Sequence, residues 1–224
     1  MSQLNIIQLI AVWLLPVLFA ITLHEAAHGW VARLFGDRTA QMLGRVTLNP
    51  LKHIDPVGTI LVPGLLLLFG SATGNIFLFG WAKPVPVTVR NLGNPRRDMA
   101  FVAAAGPAAN LLMGVFWALV ARFGVMLYPS LGETVVPLIY MGGAGILINL
   151  VLAVLNLLPV PPLDGGRVLS SLLPGRWSWQ LGRIEPYGLL IVLGLLATGL
   201  LGQIMSPIIG ALQSVLISVA GIAP

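Results

Sequence analysis

His24-Glu25-Ala26-Ala27-His28 is the stretch of this chain whose residue types and spacing are best suited to chemistry. Two histidines four residues apart lie one above the other on a helix face, so both imidazoles can ligate one Zn²⁺. Glu25, beside the first of them, is a carboxylate placed to take a proton from an attacking water. The chain has three histidines and three glutamates in all, and this pentapeptide holds two and one of them. Ionisable groups set in or beside an apolar helix are costly, which favours a functional reading over a satisfied structural cluster at a membrane interface.

Catalytic zinc usually takes three protein ligands and keeps one position open. The remaining candidates are His53, Asp37, Asp55, Asp98, Asp164, Glu133 and Glu185. Asp164 differs from the others in context. It follows Asn156-Leu-Leu-Pro-Val-Pro-Pro-Leu, where three prolines unwind the end of an apolar run, and precedes Gly165-Gly166-Arg167. Non-helical backbone at membrane depth is tolerated where it lines a cavity or is buried in protein, and an aspartate presented from such a break can complete a metal site. The plainer alternative is an aspartate capping an ordinary helix end.

The elements that must position these residues follow from composition. Of 224 residues, 57% are hydrophobic and 8% charged, and there is no cysteine. A soluble domain carries roughly 25% charged residues, so a soluble enzyme, a disordered tail and a coiled coil are excluded. Absent cysteine excludes disulfides, thiolate metal sites and a catalytic thiol. Apolar runs near 20 residues predict an all-α polytopic membrane protein, a bundle of about 4–6 transmembrane helices forming one domain over 1–224. The net charge of +5 is read as basic loops that orient the chain in the lipid bilayer, with no nucleic acid as partner.

The first run, Leu4–Leu23, enters the HEAAH motif directly. No Lys or Arg precedes it and no small-residue cleavage site closes it, so it predicts a retained helix to about Phe35. Further runs cover Val57–Phe79, Met99–Leu127 and Val135–Leu158. The uncharged tail, 187–224, allows one or two crossings, with Pro207 as the expected break. The histidines and Asp164 must share one side of the membrane, because a wrong parity would separate them by about 20 Å or more at ~1.5 Å per residue. The segment 57–79, interrupted at Pro63-Gly64 and Gly70–Asn75, is therefore expected to be re-entrant or broken. Basic residues agree. A re-entrant segment puts eleven on one side and only Arg122 on the other, whereas a spanning one splits them seven to five. The N-terminus is then outside and the site near the cytoplasmic side. Short extended stretches are expected near the site, at 44–48 and 84–89.

HEAAH at 24–28, GPAAN at 106–110 and NLLPVPPLDGGR at 156–167 together resemble the site-2 protease family of intramembrane zinc metalloproteases, peptidase family M50. NPLKHIDPVG (49–58) and GWAKPVPV (80–87) are similar to its short subgroup, without an inserted PDZ or appended nucleotide-sensing (CBS) domain. The resemblance implies one Zn²⁺ per chain on His24, His28 and Asp164, with Glu25 as general base. It implies that Asn156 polarises the scissile carbonyl or holds the substrate strand. Asn110 corresponds to the asparagine of the family's GPxxN; its other reading is helix–helix hydrogen bonding. His53 is a subgroup feature, either a group supporting the ligands or an oxyanion, or an interfacial histidine. The implied partner is a transmembrane protein substrate, cut within or at the edge of its helix, in a prokaryotic cell membrane. A metalloprotease trimming peptides at the interface fits less well, since such enzymes generally take a glutamate as third ligand. A metal transporter or metal-binding scaffold using the same histidine pair is the alternative from another class.

Overall fold

The computed structural model describes residues 6–62, 65 and 80–222. Helix α1, Ile6–Leu34, is an unbroken apolar run carrying the HEAAH motif near its C-terminal end. It stops because Gly36 adopts φ 106°, a left-handed conformation open to glycine, and the turn closes with Gly36 N–H on Arg33 O and Asp37 N–H on Ala32 O. After the short α2, Thr39–Met42, come a 3₁₀ turn at Pro50–Lys52 and a π-helical turn at Pro56–Leu61 that Asp55 caps. Helix α3, Pro95–Leu131, starts on a reciprocal cap: Asn94 Oδ1 accepts from Arg97 N–H, and Asp98 Oδ2 accepts from Asn94 N–H. Helix α4, Val136–Asn156, follows a 3₁₀ turn at Gly132–Val135. Then come α5, Asp164–Leu172; α6, Gly175–Gly182; α7, Glu185–Ala197; and α8, Leu200–Val219.

Packing gives each helix its direction. Phe35, just past α1, stacks on Phe101 near the start of α3, with ring centroids 5.7 Å apart, while Ala20, deeper in α1, accepts a hydrogen bond from Asn110 further along α3. The two helices are therefore antiparallel. On α4, Gly142 meets Ala121 and Gly145 meets Trp117 so closely that a Cβ at either would overlap its partner, whereas Gly143 faces open space. That i, i+3 glycine pair lets the α3 and α4 backbones approach, as small residues do between membrane helices, and makes them antiparallel too. Helix α8 runs from Leu201 and Met205 beside Val154 to Leu216 beside Trp117 and Leu150, and Arg122 donates to Gly221 O at its far end.

This is an all-α membrane protein. Ile7–Leu34, Pro95–Asn156 and Leu200–Val219 are long and apolar enough to cross a membrane, and the middle stretch contains two antiparallel helices. The candidate crossings are therefore α1, α3, α4 and α8, and the bent pair α6–α7 passes the same test when taken together. Large apolar side chains such as Ile10, Leu14, Leu112, Phe116, Phe123 and Ile208 stand on the outside, where lipid meets them. Helix α7, at 13 residues, is about 20 Å long and short of the ~30 Å hydrocarbon core; it joins α6 at a 64° bend.

One expectation is corrected. Pro207 does not break the tail, since α8 continues through it; the chain turns at Gly199, φ 76°, where glycine adopts the left-handed backbone without strain. The stretches at 44–48 and 84–89 form no strand; among the described residues there is none. Pro84 and Pro86 have no N–H to give a ladder, and the N–H groups of Val85 and Thr88 go to the carboxylates of Glu25 and Asp37. Of the segment expected to be re-entrant, 57–79, all but 57–62 and 65 lies outside the described residues. The chain nevertheless leaves α1 and returns to α3 at one end of the bundle, because Gly93 N–H donates to Phe35 O at 3.0 Å.

Gly145→Ala is expected to destabilise the bundle by about 1–3 kcal/mol through overpacking against Trp117. Gly143→Ala should be neutral or slightly stabilising. Denaturant unfolding in detergent followed by circular dichroism measures both.

Candidate metal centre

His24 and His28 project from one face of α1 toward α3. Each imidazole is oriented from behind: His24 Nδ1 lies 2.6 Å from Asn110 Oδ1, and His28 Nδ1 lies 2.7 Å from Val102 O. Both partners are oxygen acceptors, so the network assigns the proton to Nδ1 in each ring and leaves both Nε2 atoms with a lone pair.

Asp164 reaches the same point from α5. Its presentation depends on the two glycines that follow: a Cβ at Gly165 would run into the carbonyls of Leu157 and Leu158, and one at Gly166 into the backbone of Val160 and Pro161. The start of α5 is thereby pressed onto the unwound end of α4. Asp164 Oδ2 sits 3.2 Å from His24 Nε2 and 3.3 Å from His28 Nε2, and the two Nε2 atoms are 3.1 Å apart. Three acceptor atoms thus form a nearly equilateral triangle, and Oδ2 is buried with no hydrogen-bond donor. A tetrahedral ion with ligand distances of about 2.0–2.1 Å spaces its ligand atoms by about 3.3 Å. The donor set, two imidazoles and a carboxylate, suits zinc, and three ligands leave a fourth position open. Among the described residues, this is the group of side chains able to hold a metal.

Gly106, the glycine of GPAAN, was not singled out by the sequence reading. A Cβ there would fall on the Nε2 atoms of His24 and His28. Its absent side chain is the space in which the ligands meet, and its place at the head of a recognised motif was the available signal. Asn149 was also missed; it is fully buried and bonds Asn110 across α3 and α4.

The other expected residues are placed as follows. Glu25 is half-buried, and its Oε2 accepts Val85 N–H at 2.8 Å. Asn110 links helices by donating to Ala20 O and Asn149 Oδ1, and its Oδ1 also lies against His24 Nδ1. Asn156 is half-buried at the end of α4, where its Nδ2 donates to Leu152 O at 2.9 Å, and it shares no hydrogen bond with the ligand triangle. His53 is buried, and its Nε2 bonds Thr47 O at 3.0 Å; it is not part of the metal-capable group. Asp55 and Asp98 cap helices, and Glu133 accepts from Tyr128 Oη.

Asp37 is a structural hub. Fully buried, it takes hydrogen bonds from Thr39 N–H and Oγ1, Asn91 Nδ2 and Thr88 N–H, tying the exit of α1 to the approach to α3. Burial disfavours its charge, but those donors outweigh burial and hold the carboxyl below its ordinary value of 3.8.

A family model described as peptidase family M50 matches residues 12–135 and 130–196 of this chain. A Bacillus subtilis protein named "Putative zinc metalloprotease YwhC" is 37% identical over 202 residues, covering 88% of this chain and 85% of that protein. A Mycolicibacterium smegmatis protein named "Putative zinc metalloprotease Rip2" is 32% identical over 197 residues, covering 88% of this chain and 69% of that protein. No solved structure matches the chain.

Gly106→Ala should abolish zinc binding while helix content stays at the parent level, as read by metal analysis and circular dichroism of the purified protein. Asp37→Asn should cost stability fully above about pH 3.8. Because the native carboxyl titrates lower than the unfolded one, that difference should shrink as pH falls below this value. Parent and variant stabilities compared across pH 3–6 test the sign.

Proposed function

Since the chain belongs to peptidase family M50, the site-2 proteases, and is a metalloprotease, we propose that it cleaves a peptide bond within, or at the edge of, a substrate's transmembrane helix. The observation that carries this reading is the triangle of acceptor atoms on His24, His28 and Asp164, set among membrane-spanning helices. These three residues would hold one Zn²⁺. Bound there, the ion would supply a Lewis acid that lowers the pKa of an attacking water and polarises the scissile carbonyl.

The chain's own residues do the rest. Glu25 takes the proton of the attacking water and returns it to the leaving amine. Val85 N–H anchors Oε2 of that carboxylate, and Oε1 receives the proton. Asn156 supplies an amide hydrogen to the scissile carbonyl; its Nδ2 carries a second hydrogen besides the one given to Leu152 O. A helical substrate hides its carbonyls in i→i−4 hydrogen bonds, so it must unwind before attack. The irregular segment at 80–88, whose backbone meets His53 O and Gly58 O through Lys83 and Trp81 N–H and Glu25 through Val85 N–H, is extended backbone beside the site that can receive it. His53, buried beneath that segment, supports its path. The eleven basic residues assigned to the site's end of the bundle, against Arg122 alone, favour an active site toward the cytoplasm and an N-terminus outside. The bacterial relatives favour a prokaryotic cell membrane.

Glu25→Gln should retain zinc and lose cleavage by about 10²–10⁴-fold. The assay uses detergent-purified protein with a panel of single-span membrane proteins, with and without a chelator. Zinc retained with cleavage unchanged removes Glu25 from the reaction. Metal still transported by Glu25→Gln, with no cleavage by the parent, favours a transporter.

A further inference from the structure

Asn149 lies within α4 and is fully buried. Both ends of its amide are committed. Nδ2 donates to Gly145 O at 2.9 Å, an atom that can only accept, so Oδ1 faces the other way and accepts from Asn110 Nδ2 at 2.9 Å. The other hydrogen of the Asn110 amide goes to Ala20 O at 3.1 Å. With both hydrogens used, Asn110 can present only Oδ1 to His24, which it meets at 2.6 Å from Nδ1. An acceptor at that point requires the proton on Nδ1 and leaves the Nε2 lone pair facing Asp164 and His28. Flipping the Asn110 amide would set its oxygen against two acceptor oxygens and its N–H₂ against the ring N–H. With both asparagines fully buried, the contacts to Ala20 O and Asn149 Oδ1 would each set acceptor against acceptor.

We propose that Asn149 is a positioning residue for the metal centre: acting through Asn110, it fixes His24 in the Nδ1–H tautomer and so makes Nε2 a ligand. The inference rests on reading His24, His28 and Asp164 as a metal site. Polarity is set at Gly145 O, a backbone carbonyl of α4, and handed through two amides to a ring on α1. His28 needs no such chain, because Val102 O takes its Nδ1–H directly. The bland role for Asn149 is to fasten α3 to α4, and the two roles differ in what happens once Asn110 has been removed.

The test measures zinc affinity of the full chain in detergent by competition with a chelating indicator, with helix content checked by circular dichroism. Asn149→Leu should weaken zinc by about 10-fold or more, within the range for groups that orient ligands from behind. Asn149→Asp, whose neutral carboxyl can still donate to Gly145 O and accept from Asn110, should keep most of the affinity. Asn110→Leu should lose about 10–100-fold, and Asn110→Leu/Asn149→Leu should be no weaker than Asn110→Leu alone. If Asn149→Leu does not fold, Asn149→Ala carries the same expectations. Parental affinity in the folded Asn149 variant, or losses that add in the double variant, overturns the relay while leaving the metal site intact. A parent chain that binds no zinc overturns the site and the relay with it.

Discussion

Three lone pairs meeting inside a bundle of apolar helices is the constraint around which the rest of this structure is arranged. At separations of 3.1–3.3 Å, two imidazole nitrogens and a carboxylate oxygen repel one another, and an unsatisfied buried acceptor costs about 1–3 kcal/mol. A cation removes that penalty, but only where the three atoms are held at fixed positions. The chain therefore runs α1 and α4 parallel, so that the histidines and the unwound segment before Asp164 arrive at one end. It packs α3 against both with a glycine where His24 and His28 meet, and seats α5 with two glycines directly on backbone.

The carboxylates outside the triangle explain why the intervening chain takes the course it does. Glu25 and Asp37 collect the N–H groups of Val85 and Thr88, and Arg45 donates to the carbonyls of Lys83 and Pro84. Side chains on and just after α1 thus supply partners that a sheet would otherwise provide. Prolines at 84 and 86 keep that backbone from pairing with a strand. The result is an extended segment lying over the Glu25 carboxylate without belonging to a sheet.

Much of this was legible in the sequence, and for physical reasons. Helical spacing put His24 and His28 on one face, and the proline-rich break marked Asp164 as a residue presented from non-helical backbone. Scarcity of charge located the membrane spans, and parity required the chain to return to the side it left, as the Phe35–Gly93 hydrogen bond has it do. The reading failed where a choice between equals was settled by tertiary contact. Pro207 and Gly199 are both breakers, yet only the glycine sits where the chain must turn. Asn149 is one asparagine in an apolar helix until the α3–α4 packing sets it against Asn110. Gly106 reads as one small residue among several, because no spacing rule announces that its missing Cβ makes room for side chains 78 and more positions earlier.

The closure of the chain between Phe35 and Gly93 has a consequence for how such an enzyme can change. Its two ends are joined by a backbone hydrogen bond and by Asp37, which reaches Thr88 and Asn91 while belonging to the turn after α1. A loop pinned at its neck transmits little of its own length to what lies beyond. Each doubling of such a loop costs only about 0.6 kcal/mol in closure entropy. Descendants could lengthen, shorten or re-sequence the chain between the neck and Trp81 while the helices carrying His24, His28 and Asp164 kept their register. In this protein that stretch of chain and the triangle of His24, His28 and Asp164 are coupled through a few atoms at the neck, and they are free to evolve at different speeds.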